Sequence, residues 1–568
     1  MIVGIDLGTS TSEVAFADET GKATVIPNKD GEAVTPSVVH IRHSGRPIVG
    51  SEAGEYLFTR PDCTFMEIKR KFGTDEKLIA HGKTYTPEEI QAHIIEYLVD
   101  CAEEYTGEEV TGAVITVPAY FTDVQRKQTI SAGKLAGVDV KRVINEPTAA
   151  ALDYGIGNMT GCEHILVYDF GGGTLDVTVL ELFEGVIDVK SSCGNNRLGG
   201  KDFDEALMLH IAGSHYEALM ADPKAKMKLK YAATACKVAL SGEEKTQVLL
   251  PLIAKDISID CVVTRAEFEN LIKSMVESTG EQIDTALEDA GLKPADLQRV
   301  ILVGGTTRIP IVQRFVEEKL GLKSMWEKDD ENSPELMVVR GAAIQAAIID
   351  GVIAQEQSVV LADVCPYSLG LSTVSTEGVV VDHLIRRNVT IPYQFSSVYE
   401  ALHEYQSGFL FEIFQGESTS PFENTRIGEL DLDNIPQRKN ELAEAEVTFS
   451  YDVNGLLSVS ARALGNDSTA ATVIDINQND MPARPPVKLS EWKKAVGASK
   501  YRPLLRKAEK MLDEYIGDEA FIEYGLYAVQ NLCDGVKADL ILGYENDAEA
   551  KSEKIKIFLD DWKPGVRR

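Results

Sequence analysis

The sequence lacks the features of a disulfide-bonded, zinc-binding or membrane-spanning protein. Its eight cysteines are scattered, without a Cys-x-x-Cys pair or close histidines, so neither a disulfide framework nor a zinc site is predicted. No apolar run approaches the roughly 18 residues that a membrane-spanning helix needs. The N-terminal segment has neither the basic start nor the long apolar core of a signal peptide. We therefore expect a cytoplasmic protein.

Positive charge is also scarce. Against 89 acidic residues stand only 57 lysines and arginines, so the net charge is −32, and no long basic run occurs. A chain this acidic repels nucleic acids and anionic membranes, and neither is expected as a partner. The P-loop pattern Gly-x-x-x-x-Gly-Lys-Ser/Thr is absent too, which excludes that kind of phosphate site.

What is present begins with an α/β texture. The 568 residues are too many for one hydrophobic core, so two to four domains are expected. Up to about residue 355, short apolar runs end at turn residues and read as buried strands, with helix-like stretches between them. The strand-like runs are Val114–Val117, Ile165–Tyr168 and Val300–Val303; the helix-like stretches are Asp123–Ala136 and Ala266–Ala290.

From about residue 365 the pattern changes to alternating strands. Val447, Phe449, Tyr451 and Val453 alternate with polar residues, and Asn454-Gly455 then precedes another alternating run, which predicts a hairpin. An antiparallel β-sandwich is the expected architecture. Its expected strands include Phe409–Phe414, Ile427–Leu432, Glu446–Val453 and Leu456–Ala463.

Two further segments differ from both domains. From about residue 490 the pattern is helical, and one apolar face is formed by Tyr501, Leu505, Ala508, Leu512 and Tyr515. Between the α/β and β regions, Ser358–Val364 is short and apolar, whereas a flexible spacer would be polar. We expect this linker to dock against a domain in one state.

One device occurs twice in the α/β region. The run Ile2–Ile5 leads into Asp6-Leu-Gly-Thr9, and Ile165–Tyr168 leads into Asp169-Phe-Gly-Gly-Gly-Thr174. Glycines let backbone N–H groups approach phosphate oxygens, and aspartate can hold Mg²⁺ through its waters. Each loop alone is equally an ordinary glycine turn. Two matched loops and a third, Val303–Thr306, predict two related lobes that clamp a nucleoside triphosphate.

These three loops, in this order, are similar to those of the actin, sugar-kinase and heat-shock ATPase superfamily. Over nearly its whole length the sequence resembles the seventy-kilodalton heat-shock chaperones, the DnaK-like proteins. The phrase Asp363–Gly370 and the short C-terminal part look most like the HscC-type branch. The matching segments are Ile5–Ser12, Ile26–Gly31, Val117–Gln128, Ile144–Tyr154, Tyr168–Val179, Leu198–Phe203 and Ile301–Pro310.

The resemblance implies an α/β two-lobed actin-like ATPase domain, then an antiparallel β-sandwich and a C-terminal helical lid. The expected bounds are 1–355 for the two-lobed ATPase domain, 356–364 for the linker, 365–480 for the peptide-binding sandwich and 481–568 for a short lid. The implied function is that of an ATP-dependent chaperone whose ATP hydrolysis gates the binding and release of client segments. ATP/ADP and Mg²⁺ are the implied cofactors, with K⁺ as a further candidate. A J-domain cochaperone and extended hydrophobic client peptides are the implied partners, with a nucleotide exchange factor as a candidate.

The resemblance also assigns roles in the ATPase domain. Asp6 and Asp169 would hold hydrated Mg²⁺, and Lys69 and Glu146 would position the attacking water, a task that fits the needs of phosphoryl transfer. Without the resemblance, Lys69 reads as part of a solvated Lys-Arg-Lys surface patch. The catalytic residues implied are Lys69, Glu146, Asp169 and Thr174. The implied nucleotide contacts are Gly8, Thr9, Ser10, Gly171, Gly172, Gly173, Gly199, Gly200, Lys237, Ser241, Gly304, Gly305 and Arg308.

The sequence departs from the family pattern at the nucleoside and in the linker. Thr234 stands where a glutamate is usual and Val238 where many members have a base-stacking arginine, so weaker nucleoside binding is expected. Ala362 replaces a larger apolar residue and would loosen linker docking by about 1–2 kcal/mol. The resemblance assigns the allosteric relay to Pro118, Arg126 and Asp363, and J-domain docking to Arg142 and Asn145 together with Asp363.

The peptide site departs most. Val374 and Leu402 replace the residues that arch over the peptide, Tyr399 stands for a phenylalanine, and Phe409 occupies the place of a smaller valine. Phe411 completes the implied site. Phe409 is open to two interpretations: it narrows the central pocket and the client range, or it is a core residue around which the domain repacks.

The sequence argues against two other functional classes. A small-molecule kinase of the same superfamily has no use for a β-sandwich behind an apolar linker, and actin-like filament subunits also lack residues 365–480. A nucleotide-gated scaffold without turnover stays open, although the presence of both Lys69 and Glu146 favours hydrolysis.

Overall fold

The computed structural model describes residues 1–74, 76–156, 161–183, 185–324, 336–354, 359–375, 378–402, 404, 406–436, 441–465, 468–473, 486–515 and 526–561. These form two compact units. The first comprises Met1–Pro366 with Val453–Leu456, and the second comprises Tyr367–Asp452 and Leu457–Arg568. Residues 356–358 of the expected linker, residues 474–480 of the expected sandwich and 481–485, 516–525 and 562–568 of the expected lid lie outside the described residues.

The strands of the first unit are mostly short and apolar, as the sequence predicts. They are β1 (Ile2–Leu7), β2 (Thr11–Ala17), β3 (Ala23–Val25), β4 (Thr35–Pro36), β5 (Val38–Ile41), β6 (Pro47–Val49), β7 (Thr64–Met66), β8 (Leu78–Ala80), β9 (Lys83–Tyr85), β10 (Gly112–Val117), β11 (Val140–Asn145), β12 (Cys162–Phe170), β13 (Leu175–Phe183), β14 (Val186–Asn195), β15 (Lys245–Ala254), β16 (Ile257–Thr264), β17 (Arg299–Val303) and β18 (Val360–Val364).

Two mixed sheets share one arrangement at their centres. In the first sheet, ordered β11-β10-β1-β2-β3, strand β1 is parallel to β10 and forms an antiparallel hairpin with β2. In the second, ordered β17-β12-β13-β14-β18, strand β12 is parallel to β17 and antiparallel to β13. The two Asp-Gly-Thr loops are therefore the turns of equivalent hairpins, which explains why the sequence uses the device twice.

The helices of the first unit surround these sheets. Several begin with a capping box, for example Thr86 with Glu89 and Thr122 with Gln125, in which each side chain satisfies a free backbone N–H. They are α1 (Ser51–Thr59), α2 (Pro87–Thr106), α3 (Asp123–Leu135), α4 (Glu146–Ile156), α5 (Gly200–Ala212), α6 (Tyr216–Met220), α7 (Pro223–Gly242), α8 (Arg265–Ser278), α9 (Gly280–Ala290), α10 (Pro310–Leu320) and α11 (Met337–Ile349).

Three large apolar cores divide this unit into lobes. One core joins the first sheet to α2, and another joins the second sheet to α5 and α7–α10. The third contains residues of both sheets and of α4 and α11, which therefore lie between them. We call the first sheet with α1–α3 and the small sheet β6-β5-β7 the first lobe. The second sheet with α5–α10 is the second lobe.

The helix-like stretch expected at Ala266–Ala290 is helical except at Thr279. The chain forms two helices, α8 and α9, which are separated at Thr279. The Thr279 hydroxyl donates to the carbonyl of Val276 at 2.6 Å and accepts from the buried Tyr168 hydroxyl at 2.9 Å. A hydroxyl that bonds to its own preceding turn competes with the helical ladder, and Gly280 follows it, so the helical assignment is interrupted here.

The second unit contains two four-stranded antiparallel sheets. Their orders are β20-β19-β23-β24 and β22-β25-β26-β27. The predicted strands at Phe409–Phe414 and Ile427–Leu432 lie within β23 and β24. The strands are β19 (Leu369–Ser375), β20 (Gly378–Ile385), β21 (Thr390–Ile391), β22 (Tyr393–Glu400), β23 (Gly408–Gln415), β24 (Thr425–Asp433), β25 (Glu444–Tyr451), β26 (Leu457–Ala463) and β27 (Thr469–Val473).

The hairpin predicted from Asn454-Gly455 joins β25 to β26. The strand expected to continue through Val453 ends at Tyr451 instead, so Val453 lies in the turn. Gly455 has a φ of 71°, a left-handed conformation that glycine adopts without strain. The alternation of apolar residues runs one step past the strand because a turn residue can match the period by chance.

Three helices follow the sandwich in the described part of the chain: α12 (Ala498–Tyr515), α13 (Leu526–Leu542) and α14 (Glu545–Asp561). The apolar face predicted for α12 is buried at Tyr501, Leu505 and Ala508, which pack with residues of α13 and α14 in one core. None of the described helices combines the length and the apolar composition needed to cross a membrane. All eight cysteines are free thiols.

Candidate functional site

A cavity of about 600 Å³ lies between the two lobes, and all three glycine loops reach it. Side chains and backbone from both sheets line it. The sequence-predicted residues that line it are Asp6, Gly8, Thr9, Ser10, Lys69, Glu146, Asp169, Gly171, Gly172, Thr174, Lys237, Ser241, Gly304, Gly305 and Arg308. Residues as far apart in the chain as Asp6 and Arg308 thus meet around one space, as the two-loop pattern predicts.

The loops of the two lobes approach each other closely at Gly172 and Gly173. A Cβ at Gly172 would lie 2.4 Å from the Ser10 Oγ, and one at Gly173 would lie 3.1 Å from the Thr9 Oγ1. Since any side chain at Gly172 would collide with the opposite loop, the glycine keeps the two loops in reach of one ligand.

Gly173, Gly199 and Gly200 support the second loop rather than line the cavity. The backbone N–H of Gly200 donates to the Gly171 carbonyl at 3.0 Å. A Cβ at Gly199 would lie 2.4 Å from the Gly173 backbone nitrogen. These glycines let the start of α5 pack directly against the loop, which brings the positive end of a helix dipole beside it.

Buried acids surround a single buried lysine in the cleft. Lys69 is 3% exposed, and its Nζ donates to the Glu146 Oε1 at 2.5 Å. The Thr116 hydroxyl donates to the Asp6 Oδ1 at 2.6 Å. Burial, and then the charge of Glu146, raise the pKa of Asp6 to about 7. The same two causes raise the pKa of Asp169 well above its usual range.

This geometry corrects the surface interpretation of Lys69. The residue lies in a 3₁₀ turn at Ile68–Lys71, which follows β7 in the first lobe. Its ammonium group is buried beside the Phe121 ring, with 5.4 Å between Nζ and the ring centroid. An ammonium group this deeply buried needs an anionic partner, and Glu146 supplies it.

The end of the cavity where the sequence predicts nucleoside contacts offers fewer free polar groups. Lys237 donates to the Gly200 carbonyl and pairs with the Asp204 Oδ1, both at 2.8 Å, so the protein itself already holds its ammonium group. Val238 lines the cavity yet is 65% exposed, and Thr234 also lines it. Val238 therefore has no positive charge that could stack against a base.

The described part of the linker forms strand β18, parallel to β14. Its register pairs Val186 with Val360, Ile187 with Leu361 and Asp188 with Ala362. Val359 and Val364 are buried, Leu361 and Ala362 are half-buried, and Val360 is exposed. The apolar linker is thus docked as a sheet strand, as its composition predicts.

Polar groups fix the end of this strand. The Asn145 Nδ2 donates to Asp363 at 2.8 Å, and the Thr148 hydroxyl donates to the same oxygen at 3.3 Å. Arg126 donates to the Asn145 Oδ1 at 2.6 Å. Three predicted relay and docking residues therefore form one buried chain of hydrogen bonds, which joins α3 and β11 to the linker.

The other two residues of this set lie beside the chain. Arg142 donates to Gln345 at 3.2 Å, and burial lowers the pKa of its guanidinium while the nearby Asp363 charge raises it. Pro118 is buried directly after β10, and its carbonyl accepts from the Phe121 N–H at 3.1 Å.

In the second unit, three of the five predicted peptide-site residues cluster. The rings of Phe409 and Phe411 are stacked, with centroids 5.3 Å apart and planes inclined by 7°. The Tyr399 ring lies 6.0 Å from Phe411, and its hydroxyl donates to Asp382 at 2.8 Å. Phe409 is 8% exposed. Leu402 is 59% exposed, and Val374 is half-buried on β19.

Comparison with known proteins decides the family. The family model for Hsp70 protein matches residues 2–79 and 74–485 of this chain. The chain belongs to the Hsp70 family. The chaperone protein DnaK of Thermotoga petrophila is 42% identical over 483 residues, which cover 83% of this chain and 80% of the relative.

Membership in the Hsp70 family confirms the predicted activity: the protein is an ATPase and an ATP-dependent molecular chaperone. Hsp70 proteins bind ATP and ADP and work with J-domain cochaperones, nucleotide exchange factors and client peptides. The family architecture is a two-lobed actin-like ATPase domain, a β-sandwich and a helical lid. The assignment to the HscC-type branch stays a prediction.

The acids of the Hsp70 cleft suit Mg²⁺ held through water. Within the described residues, no three His, Cys, Asp or Glu side chains are grouped so as to hold a metal by themselves. Asp6 and Asp169 nevertheless leave negative charge in the cleft, where burial disfavours it. Mg²⁺ commonly takes one or two carboxylates, substrate phosphates and several waters, so this donor set fits it.

Sequence reasoning missed several residues of this Hsp70 cleft. Glu13 lines the cavity and is 2% exposed; it faces Asp6 across the β1–β2 hairpin. Asp176 is buried near Glu146. Its burial and the negative charge of Glu146 raise its pKa to about 7. The sequence could have indicated Glu13 through the register of the β1–β2 hairpin. A residue opposite Asp6 on an antiparallel strand lies on the same face of the sheet as Asp6. The apolar residues Val34, Ile309 and Val338 also line the cavity and carried no signal in the sequence.

Proposed function

We propose that ATP is hydrolysed at the contact between Lys69 and Glu146, with each sequence-predicted residue in its family role. The observation that carries this proposal is the buried 2.5 Å Lys69–Glu146 pair, which lies between two glycine loops from opposite lobes. Lys69 positions the attacking water and offsets charge on the γ-phosphate, while Glu146 orients that water. Thr9 and Thr174 donate hydroxyl hydrogen bonds to the phosphates. Such positioning and charge neutralisation are what phosphoryl transfer requires.

Asp6 and Asp169 are the proposed residues for hydrated Mg²⁺, which neutralises charge on the phosphate oxygens when bound. K⁺ is a further candidate for the same acidic cleft. Gly304, Gly305 and Arg308 are the proposed neighbours of the nucleoside, together with Lys237 and Ser241. The raised pKa values of Asp6 and Asp169 support a cation here, because a cation would relieve the cost of burying their charge.

The functional division that we propose is 1–355 for ATP hydrolysis, 356–364 for the linker, 365–480 for client binding and 481–568 for the lid. The long N-terminal segment of the first compact unit ends at Pro366, which supports the boundary after the linker. The docked linker couples the halves: Asp363, Asn145 and Arg126 relay the nucleotide state, with Pro118 at the end of β10. Arg142, Asn145 and Asp363 are the proposed J-domain contacts. A cytoplasmic location is part of the same proposal.

Client recognition is proposed to be narrower than that of a general chaperone. The stacked Phe409 and Phe411 rings support this, because flat aromatic faces stand where a smaller side chain would leave space for an aliphatic client residue. Val374 and Leu402 would arch over the extended client, and Tyr399 would border it. The burial of Phe409 also supports a role in the core, so its effect on clients needs the direct test described below.

The test of the proposed ATPase site is single-turnover hydrolysis by the full chain. Lys69→Ala and Glu146→Ala should each slow hydrolysis by about 100-fold while nucleotide still binds, because they remove positioning rather than the pocket. The matched control is Lys71→Ala. Lys71 lies in the same turn as Lys69 but pairs with Glu76 at the surface. Hydrolysis at the wild-type rate in Lys69→Ala would contradict the assignment, and phosphate transfer to a small molecule would indicate a kinase.

A further inference from the structure

The short segment that carries Lys69 is tied to the opposite lobe on both sides of that lysine. Glu67 precedes it and forms ion pairs with Lys201 at 2.6 Å and with Lys230 at 2.7 Å, both on helices of the second lobe. Arg70 follows it and donates to the Gly173 carbonyl at 2.9 Å and to Asp202 at 3.0 Å. The first-lobe segment that carries Lys69 is thus bonded to the second glycine loop and to two helices of the second lobe.

The ion pairs at Glu67 are largely shielded from water. Lys201 is 7% exposed at its side chain, and Glu67 and Lys230 are 21% and 22% exposed. Although burial raises the pKa of Glu67, the two lysines outweigh it and hold that pKa below its ordinary value. Shielded pairs of this kind are screened less by salt than surface pairs, so they can hold two lobes together.

The backbone conformation of Glu67 supports a functional role for its ion pairs with Lys201 and Lys230. Glu67 has a φ of 62°, a left-handed conformation that is unfavourable for a residue with a Cβ. Such strain persists only where the surroundings over-determine it. Here the left-handed turn aims the carboxylate at the second lobe, while Lys69, two residues on, reaches Glu146.

Helix α7 adds an apolar contact next to the ion pairs. Its Tyr231 ring meets the Phe58 ring of α1 edge-on, with centroids 5.3 Å apart. Its Met227 packs against a small first-lobe core that contains Leu57. Met227, Lys230 and Tyr231 stand at i, i+3 and i+4, so one face of α7 lies against the first lobe.

We propose that Glu67, Lys201 and Lys230 form a clasp across the cleft that closes the lobes over the nucleotide and, in the same event, places Lys69. Glu67 and Arg70 are then positioning residues: they act through Lys69 and the Gly173 loop. This inference rests on the proposed role of Lys69. Its consequence is that nucleotide release and hydrolysis change together, in opposite directions, when the clasp is broken.

The test uses the full chain and two readouts, the release rate of a fluorescent ADP analogue and single-turnover ATP hydrolysis. Glu67→Gln and Lys230→Met should each speed release by about tenfold and slow hydrolysis by a similar factor. Lys230→Arg keeps the positive charge, so both rates should return to those of the wild type. If Lys230 acted only through its side-chain volume, keeping the charge would not be required. Lys228→Met, which removes an exposed lysine from the same helix, is the matched control and should change neither rate.

The outcomes separate this inference from the proposed function. If Lys69→Ala hydrolyses ATP slowly but Glu67→Gln and Lys230→Met release ADP at the wild-type rate, the clasp is overturned and the ATPase site stands. If Lys69→Ala keeps the wild-type rate, the proposed function itself fails. Thermal unfolding of each variant is measured alongside. Should Glu67→Gln fail to fold, Lys230→Met decides, because it changes a partly exposed helix residue.

Discussion

At the scale of single residues, three adjacent cations of one short turn reach three different environments. Lys69 is buried against Glu146, Arg70 holds the Gly173 carbonyl and Asp202, and Lys71 pairs with Glu76 at the surface. A 3₁₀ turn has three residues per turn, so successive side chains point about 120° apart. The charges are similar in sequence, and the turn geometry gives each a separate task.

The missing arginine at position 238 leads to a prediction about nucleoside affinity. Val238→Arg should tighten ATP and ADP binding roughly threefold to tenfold, because a guanidinium group lining the cavity can stack on a base. Calorimetric titration of each nucleotide measures the change. The control is Val262→Arg, which adds the same charge at another exposed site of the second lobe. Equal affinity gains in both variants would show a general charge effect and contradict stacking.

Phe409 supplies a second prediction at this scale. Phe409→Val should increase the affinity for leucine-rich extended peptides, because it removes one ring of the stacked pair and opens space in the sandwich. The change should also lower the free energy of unfolding by about 1–3 kcal/mol, since Phe409 is nearly buried. Fluorescence anisotropy with a panel of labelled peptides measures the client range.

The control for Phe409→Val is Leu410→Val, on the exposed face of the same strand. It should leave both peptide affinity and stability unchanged. An unchanged peptide profile in Phe409→Val, together with lost stability, would assign Phe409 to the core alone and end the proposal of a narrowed pocket.

At the scale of elements, the linker is the segment whose state matters most. Strand β18 pairs with β14 in the second sheet, where backbone pairing gives it register and the buried Val359 and Val364 give it apolar contact. Burial raises the pKa of Asp363, although the hydrogen bond from the Val364 N–H and the charges of Arg126 and Arg142 act in the opposite direction. The docked state of the strand therefore depends on both polar and apolar contacts, which suits a coupling element.

Ala362 is the position at which this docking can be strengthened. Ala362→Leu should favour the docked strand by about 1 kcal/mol, because the site is half-buried and three methylene equivalents are added. Slower cleavage of the linker by a protease in the presence of ATP would show the effect. Val360→Leu is the matched control, since Val360 is exposed and its enlargement buries little. A linker cleaved equally fast in Ala362→Leu and the wild type would contradict the prediction.

At the scale of the whole molecule, the Hsp70 cycle requires that events in one unit alter the other. The first unit contains the cleft and the docked linker, and the second contains the sandwich and helices α12–α14. The linker is the covalent connection through which the state of the cleft can reach the sandwich. Asp363 is the residue at which that connection is fixed by polar groups.

The corresponding prediction concerns stimulated turnover. The ATPase rate of the full chain should rise with a J-domain and with an extended hydrophobic peptide. Asp363→Ala should keep the basal rate and lose both stimulations, because Asn145 and Thr148 lose their common acceptor. Steady-state phosphate release measures it, with Asp431→Ala, an exposed acid of β24, as control. Stimulation that survives in Asp363→Ala would place the coupling elsewhere.

The sequence by itself determined the α/β and β textures, the three glycine loops and the family. These are local properties: a strand period, a hairpin turn and a loop that only glycine permits can each be read within about a dozen neighbouring residues. The matched hairpins of β1–β2 and β12–β13 follow from them. The docked linker was also predictable, because an apolar spacer needs a partner surface.

Only the tertiary structure decided which polar residues are buried and what they meet. Lys69 lies in a basic run and is nevertheless buried, the Thr279 hydroxyl between two helices accepts from Tyr168, and Glu67 meets Lys201 and Lys230 from the opposite lobe. Their partners are more than 75 residues away in the chain, and no local period records such contacts. The physical reason is that burial of charge depends on partners brought in by the fold, whereas strand and turn formation depends mainly on the chain nearby.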